Sequence, residues 1–155
     1  MEIIDAANYF LLKEKMNGKK LHGLIYLSFA FYYADTKDFI FKEKIFKAYI
    51  HGPRNEKLLN KYRASYEDII LSNEDRQDIN LKKLNKEKIE FLDTIYEEFN
   101  YMDGFSFESY FLQKDYSFKN ARKDLAILSN TKNEINYDDI YDFYNFLQTD
   151  NAKFL

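Results

Sequence analysis

The fold is decided by one stretch of sequence, KLHGLIYLSFAFYYA at residues 20–34. Its apolar residues are not confined to one helical face, because large side chains recur along its whole length: Leu21, Leu24, Ile25, Leu27, Phe29 and Phe31. A helix that is hydrophobic all round is usually buried at the centre of a domain. We therefore expect residues 20–34 to form a central helix around which the other elements pack.

The segments on either side are also predicted to be mainly helical. One proline and four glycines in 155 residues leave few tight turns, which favours helices over a many-stranded sheet. Apolar spacing predicts helices at residues 2–16, 86–101 and 136–147. Pro53 fits the first position of a helix that would run to about Tyr62. Two shorter helices are expected after the caps Ser106 and Ser117, the second reaching Leu128, and residues 66–84 read as a loop with a helical turn.

The segment Phe39–Tyr49 has two interpretations. Its β-branched and aromatic residues fit a short strand or hairpin, or an extended stretch followed by a helical turn. The prediction is thus a mainly α fold, a single compact domain of six or seven helices over residues 1–147. A short β-hairpin near residues 39–49 is one alternative within it, and residues 148–155 are expected to be a frayed C-terminal tail.

Composition narrows the classes of function. The formal net charge is −3, whereas a broad nucleic-acid footprint usually shows a strong basic excess. The chain has no cysteine, which excludes disulfides and zinc–thiolate sites. The acidic start lacks the pattern of a signal peptide, and the longest apolar stretch, residues 24–34, is too short to span a bilayer. We expect a soluble cytoplasmic protein.

Motifs for catalysis are absent from the sequence. It contains no glycine-rich phosphate loop and no G-x-S-x-G elbow, and neither His22 nor His51 has a metalloenzyme context. The acidic run at Asp138 and Asp139 suits the first turn of a helix, where carboxylates interact favourably with the helix dipole. Basic residues cluster at positions 82–88 and 119–123 among acids, as on a solvated face. We predict no enzyme activity, no metal and no cofactor.

A run of aromatic residues favours binding to another protein. It comprises Phe29, Phe31, Tyr32, Tyr33, Phe39 and Phe41. Three consecutive aromatics on a helix cannot all face the same way, so at least one is expected to point outward. Exposed aromatic side chains are enriched at protein–protein interfaces.

Taken together, four segments resemble the Panacea antitoxin domain. They are DAANYFL (5–11), KLHGLIYLSFAFYYA (20–34), FKEKIFKAYIHGPR (41–54) and FKNAR (118–122). The matching positions include Lys20 and Tyr26 in the second segment and the Gly52-Pro53 turn in the third. Arg54 departs from the pattern, since it stands where the family has a small apolar residue.

The resemblance implies a mainly helical, non-enzymatic protein that neutralises a toxin by direct contact. We therefore predict a protein-binding inhibitor that masks its partner stoichiometrically through an aromatic-rich surface. Seven residues are the predicted protein-binding positions: Lys20, Tyr26, Tyr33, Gly52, Pro53, Arg54 and Arg122. A structural role is the alternative for three of them. Gly52 would supply a backbone conformation closed to other residues, Pro53 would start a helix, and Arg122 would bind carbonyls or an acid.

Three other functions stay open. The same kind of domain in a phage or mobile element would inhibit a host defence nuclease, as an anti-CRISPR protein does. A nucleic-acid-binding regulator would associate with DNA or RNA in a salt-dependent way. An enzyme would require a deep pocket that holds several polar groups with perturbed pKa values.

Overall fold

The computed structural model describes residues 1–149, which form eight α-helices and one two-stranded antiparallel sheet. The elements in chain order are α1 (Ile3–Lys13), α2 (Gly18–Thr36), β1 (Lys47–Tyr49), β2 (Gly52–Arg54), α3 (Glu56–Lys61), α4 (Asn73–Asp78), α5 (Lys86–Phe99), α6 (Gly104–Gln113), α7 (Tyr116–Ala121) and α8 (Tyr137–Thr149), with a 3₁₀ turn at Leu81–Lys83. The predicted mainly helical single domain with a small hairpin is confirmed.

Helix α2 lies at the centre, as its composition predicts. Fifteen of its nineteen residues are buried, and it packs against α1, α5, α6, α8 and β2. The Asn17 side chain caps its first turn by accepting a hydrogen bond from the Lys20 amide at 2.9 Å. Gly23 lets α6 approach closely, because a Cβ at this position would overlap the Phe107 ring. The helix ends at Lys37, which adopts a left-handed conformation with φ of 60°.

The hairpin lies later in the chain than residues 39–49. Strand β1 pairs with β2 across Ile50 and His51, with Ala48 opposite Pro53, so only β1 falls inside the predicted range. The prediction that Pro53 starts a helix is wrong. Helix α3 begins instead at Glu56, because the Asn55 side chain caps it by accepting a hydrogen bond from the Leu58 amide at 3.1 Å.

Aspartates, not serines, cap the two short helices of the C-terminal half. Asp103 caps α6 and Asp115 caps α7, whereas the sequence suggested Ser106 and Ser117. Both residue types are good N-caps, so the sequence alone does not choose between neighbours. Helix α7 also stops at Ala121, well short of the predicted Leu128.

The remaining features are the predicted C-terminal tail and the lengths of the helices relative to a membrane. Of the predicted tail at 148–155, the first two residues belong to α8, and residues 150–155 lie outside the described part of the chain. Within residues 1–149, no helix is both long and apolar enough to cross a membrane.

A buried polar network joins α7 to α8 inside the core. The Asp115 carboxylate accepts hydrogen bonds from the Ser117 hydroxyl at 2.5 Å, the Phe118 amide at 3.1 Å and the Tyr144 hydroxyl at 2.7 Å. Tyr26 on α2 completes the network through the Ser117 hydroxyl at 3.2 Å. Burial raises the pKa of Asp115, and the hydrogen bonds only partly oppose this.

Candidate binding groove

An open groove of about 590 Å³ lies between the hairpin, the end of α3 with the segment after it, and the loop before α8. We call it the groove and define it by its lining residues: Tyr49, Ile50, His51, Arg54, Leu59, Arg63, Ala64, Ser65, Asn130 and Lys132. Its walls combine apolar side chains with three basic ones, Arg54, Arg63 and Lys132. Neither aspartate nor glutamate lines it, although the chain carries 26 acidic residues against 23 basic ones. The groove is therefore a positive region of an acidic protein.

Arg54 is a buried cation in the groove lining. Its guanidinium donates hydrogen bonds to the carbonyl oxygens of Pro53 at 2.8 Å and His51 at 3.4 Å. No carboxylate of residues 1–149 lies within 4.0 Å of it to form an ion pair. Burial lowers the pKa of Arg54 to about 10, and the attraction of Glu108 opposes the shift, so the side chain is charged at neutral pH. A buried charge without a counter-ion is costly, and an anion entering the groove would relieve that cost.

The turn of the hairpin determines where Arg54 lies. Gly52 has φ of 144°, a conformation that other residues rarely adopt, and this permits the two-residue turn at Ile50 and His51. A Cβ at Gly52 would also lie 2.9 Å from Nη1 of Arg54 and 3.3 Å from the Phe111 ring. The absence of a side chain at Gly52 therefore gives the guanidinium its space. This agrees with the structural interpretation of Gly52 from the sequence.

Two more cations, Arg63 and Lys132, lie on the groove's exposed margin. The Lys132 ammonium sits 4.5 Å from the centre of the Tyr49 ring, a cation–π distance. Within the described residues, neither cation has an ion-pair partner. Both are therefore free to meet negative charge on an incoming molecule.

A close contact between His51 and Glu108 flanks the groove. His51 Nδ1 lies 2.7 Å from a Glu108 carboxylate oxygen, and the other oxygen receives hydrogen bonds from Lys19 at 2.6 Å and Tyr66 at 2.8 Å. Burial opposes ionisation of Glu108, but the hydrogen bonds from Lys19 and Tyr66 outweigh it and lower its pKa. Glu108 thus binds His51, Lys19 and Tyr66, and it acts on Arg54 only as a nearby charge without an ion-pair contact.

In residues 1–149, no group of three His, Cys, Asp or Glu side chains is placed to hold a metal ion. His22 does not line the groove. Its ring is buried in α2, and its Nε2–H donates to the Tyr62 carbonyl at 2.7 Å, while its Nδ1 has no partner. The two histidines thus lie apart, His22 on α2 and His51 in the turn of the hairpin.

One wall of the groove belongs to a loop, residues 123–132, and Arg122 ties this loop to the hairpin. Arg122 donates a hydrogen bond to the Ala48 carbonyl of β1 at 2.7 Å. It also donates to three loop carbonyls: Thr131 at 3.2 Å, Ile127 at 3.5 Å and Ser129 at 2.9 Å. The loop therefore presents its tip to solvent, where Ile127 is 88% exposed and Leu128 is 77% exposed. We call these two residues the apolar tip.

The seven predicted binding positions fall into two groups. Gly52, Pro53, Arg54 and Arg122 come together around the groove, but Gly52 and Pro53 are buried and Arg122 binds carbonyls. Only Arg54 lines the groove itself. The carbonyl-binding role that the sequence suggested for Arg122 is the one it has.

The other three positions lie elsewhere. Tyr26 is fully buried in the core, where its ring makes edge contacts with the rings of Phe46 and Phe111 at 5.2 and 5.4 Å. The Lys20 ammonium is held by the Glu14 carboxylate and the Asn100 carbonyl.

Tyr33 and Phe39 are the two half-buried residues of the aromatic run, and Tyr33 is the predicted binding position. Tyr33 stacks on Phe39 at 5.2 Å and contacts Tyr137 at 5.6 Å. Phe29, Phe31, Tyr32 and Phe41 are all buried. The run is thus mostly core, and the most exposed apolar side chains lie in other parts of the chain.

Sequence reasoning missed Arg63, Lys132, Ile127 and Leu128. The last two were assigned to a helix, in which one of two neighbouring apolar residues is expected to face the core. The polar segment SNTKNE from Ser129 onwards fits an end at Leu128 and gives no sign that the helix stops at Ala121. Nothing local marks Arg63 or Lys132, because three distant segments meet to form the groove.

Comparisons of the chain with protein-family models, with curated proteins and with solved structures gave no match. The resemblance to the Panacea antitoxin domain therefore stays a prediction that rests on the four segments quoted above.

Proposed function

We propose that the chain is a non-enzymatic, cytoplasmic protein that binds and neutralises a toxin, and that the groove with its apolar tip is the contact surface. The observation that carries the proposal is the pair of almost fully exposed side chains, Ile127 and Leu128, beside a groove of mixed apolar and positive character. The inhibition would be stoichiometric, because the protein covers its partner rather than modifying it.

The energetics of the apolar tip favour association. Full burial of an Ile or Leu side chain contributes about 1.5–3 kcal/mol, and neither residue contributes this in the isolated chain. The loop is also held in place by the hydrogen bonds of Arg122, so that less conformational entropy is lost when a partner covers it. A fixed apolar tip with polar surroundings has the arrangement of a protein interface, in which an apolar centre is bordered by a polar rim.

The test begins with a tagged copy of the chain, used to recover bound proteins from its native host. A recovered neighbouring-gene product is then co-expressed with the chain, and growth rescue and a one-to-one complex are measured. Ile127→Asp/Leu128→Asp should abolish both readouts. The control is Ile70→Asp, since Ile70 is 86% exposed and lies outside the groove.

Equal loss of rescue in the Ile70 control would show that the substitutions act nonspecifically and would remove the assignment of the surface. Recovery of a defence nuclease, with no toxin neutralised, would replace the antitoxin role with counter-defence.

A further inference from the structure

We infer that the groove receives an acidic protein segment, in which one carboxylate ion-pairs with Arg54 while a neighbouring apolar side chain packs on the groove wall. The inference rests on the proposed protein-binding function and adds the chemical class of the bound segment. It is independent of whether the partner is a toxin.

Charge complementarity is the first argument. Three positive side chains line the groove: Arg54 is buried, and Arg63 and Lys132 lie on the margin. No carboxylate of residues 1–149 is within ion-pair distance of any of them. Glu108 is the nearby acid that acts on Arg54, and Lys19, Tyr66 and His51 already bind it. Within residues 1–149, the three groove cations therefore have no direct ion-pair partner, and Arg54 is compensated only by the nearby charge of Glu108.

The unused hydrogen-bond donors of Arg54 suit a carboxylate. Its two hydrogen bonds to carbonyl groups account for two of its five N–H donors. A guanidinium fork matches a carboxylate with two parallel hydrogen bonds, and such charge-assisted pairs are about twice as strong as neutral ones. Because Arg54 is buried, water screens this pair less than it screens one at the surface.

The apolar walls select a peptide over a mobile ion. Tyr49, Ile50, Leu59 and Ala64 line the groove beside the three cations. Burial of an aliphatic or aromatic side chain against these walls favours binding, and a free inorganic anion has no such side chain. An acidic segment with an apolar residue next to its carboxylate satisfies both parts of the lining.

Nucleic acid fits the surface less well. A duplex or single strand needs a track of free cations along its backbone. Two members of the basic clusters in the sequence are instead bound within the fold: Lys88 donates to the carbonyls of Phe39 and Ile40, and Arg122 donates to four carbonyls. The groove offers three cations between apolar walls, which is a short site for a peptide.

The experiment selects binders from a displayed library of random twelve-residue peptides, using the purified full chain. The wild type should enrich peptides rich in Asp and Glu with adjacent apolar residues. The best peptide is then titrated into labelled protein, and NMR shifts should map to the groove. A version with Gln and Asn in place of its acids should lose binding.

Two charge-matched double variants make the test specific. Arg63→Glu/Lys132→Glu reverses the groove margin at exposed positions and should weaken the peptide roughly tenfold or more. Lys82→Glu/Lys83→Glu makes the same change in net charge at exposed positions outside the groove and should leave the affinity within about twofold.

Three outcomes would overturn the inference: no acidic enrichment, equal loss of affinity in both double variants, or tighter binding of a single-stranded oligonucleotide in the groove. In each case the proposed function survives if the apolar tip variant still abolishes binding to the toxin. Failure of toxin binding together with groove binding of acidic peptides would instead keep this inference and remove the antitoxin role.

Discussion

Replacement of His22 by Gln should remove much of the acid sensitivity of the folded chain. His22 is buried in α2, and its pKa is lowered to about 3 by burial and, to a smaller extent, by the nearby Arg54 charge. Its ordinary pKa is 6.5. The folded state therefore resists the proton that the unfolded state accepts. Stability from the neutral ring is fully present above pH 6.5 and is lost as the pH falls towards 3.

The expected size follows from the two pKa values. For each pH unit below 6.5, the free energy of unfolding falls by about 1.4 kcal/mol until the ring protonates in the folded state. At pH 5 the loss from this one side chain is about 2 kcal/mol relative to pH 8. Gln keeps a nitrogen donor for the Tyr62 carbonyl, which His22 Nε2 binds at 2.7 Å, but does not titrate.

Urea unfolding of both proteins at pH 8 and pH 5 measures the effect. The other titrating groups are common to the two chains, so the difference between their pH-dependent losses isolates His22. Wild type should lose about 2 kcal/mol more than His22→Gln on acidification. Equal losses in the two proteins would refute the assignment of a neutral, buried His22, whatever the absolute stability of the variant.

Three further predictions concern the core, the hairpin and the loop. Burial raises the pKa of Asp115, so the stability that this residue contributes is present below its ordinary pKa and is lost as the pH rises through the raised value. The free energy of unfolding of Asp115→Asn, measured with urea, should therefore be closer to that of wild type, or further above it, at pH 7 than at pH 4.5. The reverse order would contradict the raised pKa. Gly52→Ala should lower the free energy of unfolding by about 1–3 kcal/mol, because φ of 144° is strained for alanine and the new Cβ crowds Arg54; an unchanged melting temperature would disprove the strain. Arg122→Met should speed amide hydrogen exchange across residues 123–132 while α2 amides stay protected, and unaltered exchange in the loop would show that the arginine does not hold it.

The sequence was sufficient for the helices that depend on composition and periodicity. Helix α2 is recognisable because its apolar residues cover the whole helical surface, and α8 follows from Asn136 as its cap and Ile140 and Tyr144 on its buried face. The ends of helices and strands were harder to predict where one residue fits two kinds of element. Pro53 suits both a first helical turn and an edge strand, and only the pairing with Ala48 decides between them.

The groove itself was beyond sequence reasoning. Its lining comes from residues 49–54, 59–65 and 130–132, and the last of these is far from the others along the chain. Long-range packing alone determines that Arg54 is buried while Arg63 and Lys132 stay exposed. Arg54 was among the seven predicted binding positions, but the sequence did not distinguish it from the other six. One of those, Tyr26, is fully buried in the core.

The attachment of the loop by Arg122 bears on how the chain can evolve. All four of its hydrogen bonds end on main-chain carbonyls, so they fix the path of residues 123–132 without specifying which side chains the tip carries. Substitutions at Ile127 and Leu128 remove almost no internal packing, since both side chains already face solvent. Drift at these two sites is therefore nearly free of folding penalties, and under the proposed function it would let a lineage exchange one partner for another while keeping the same scaffold.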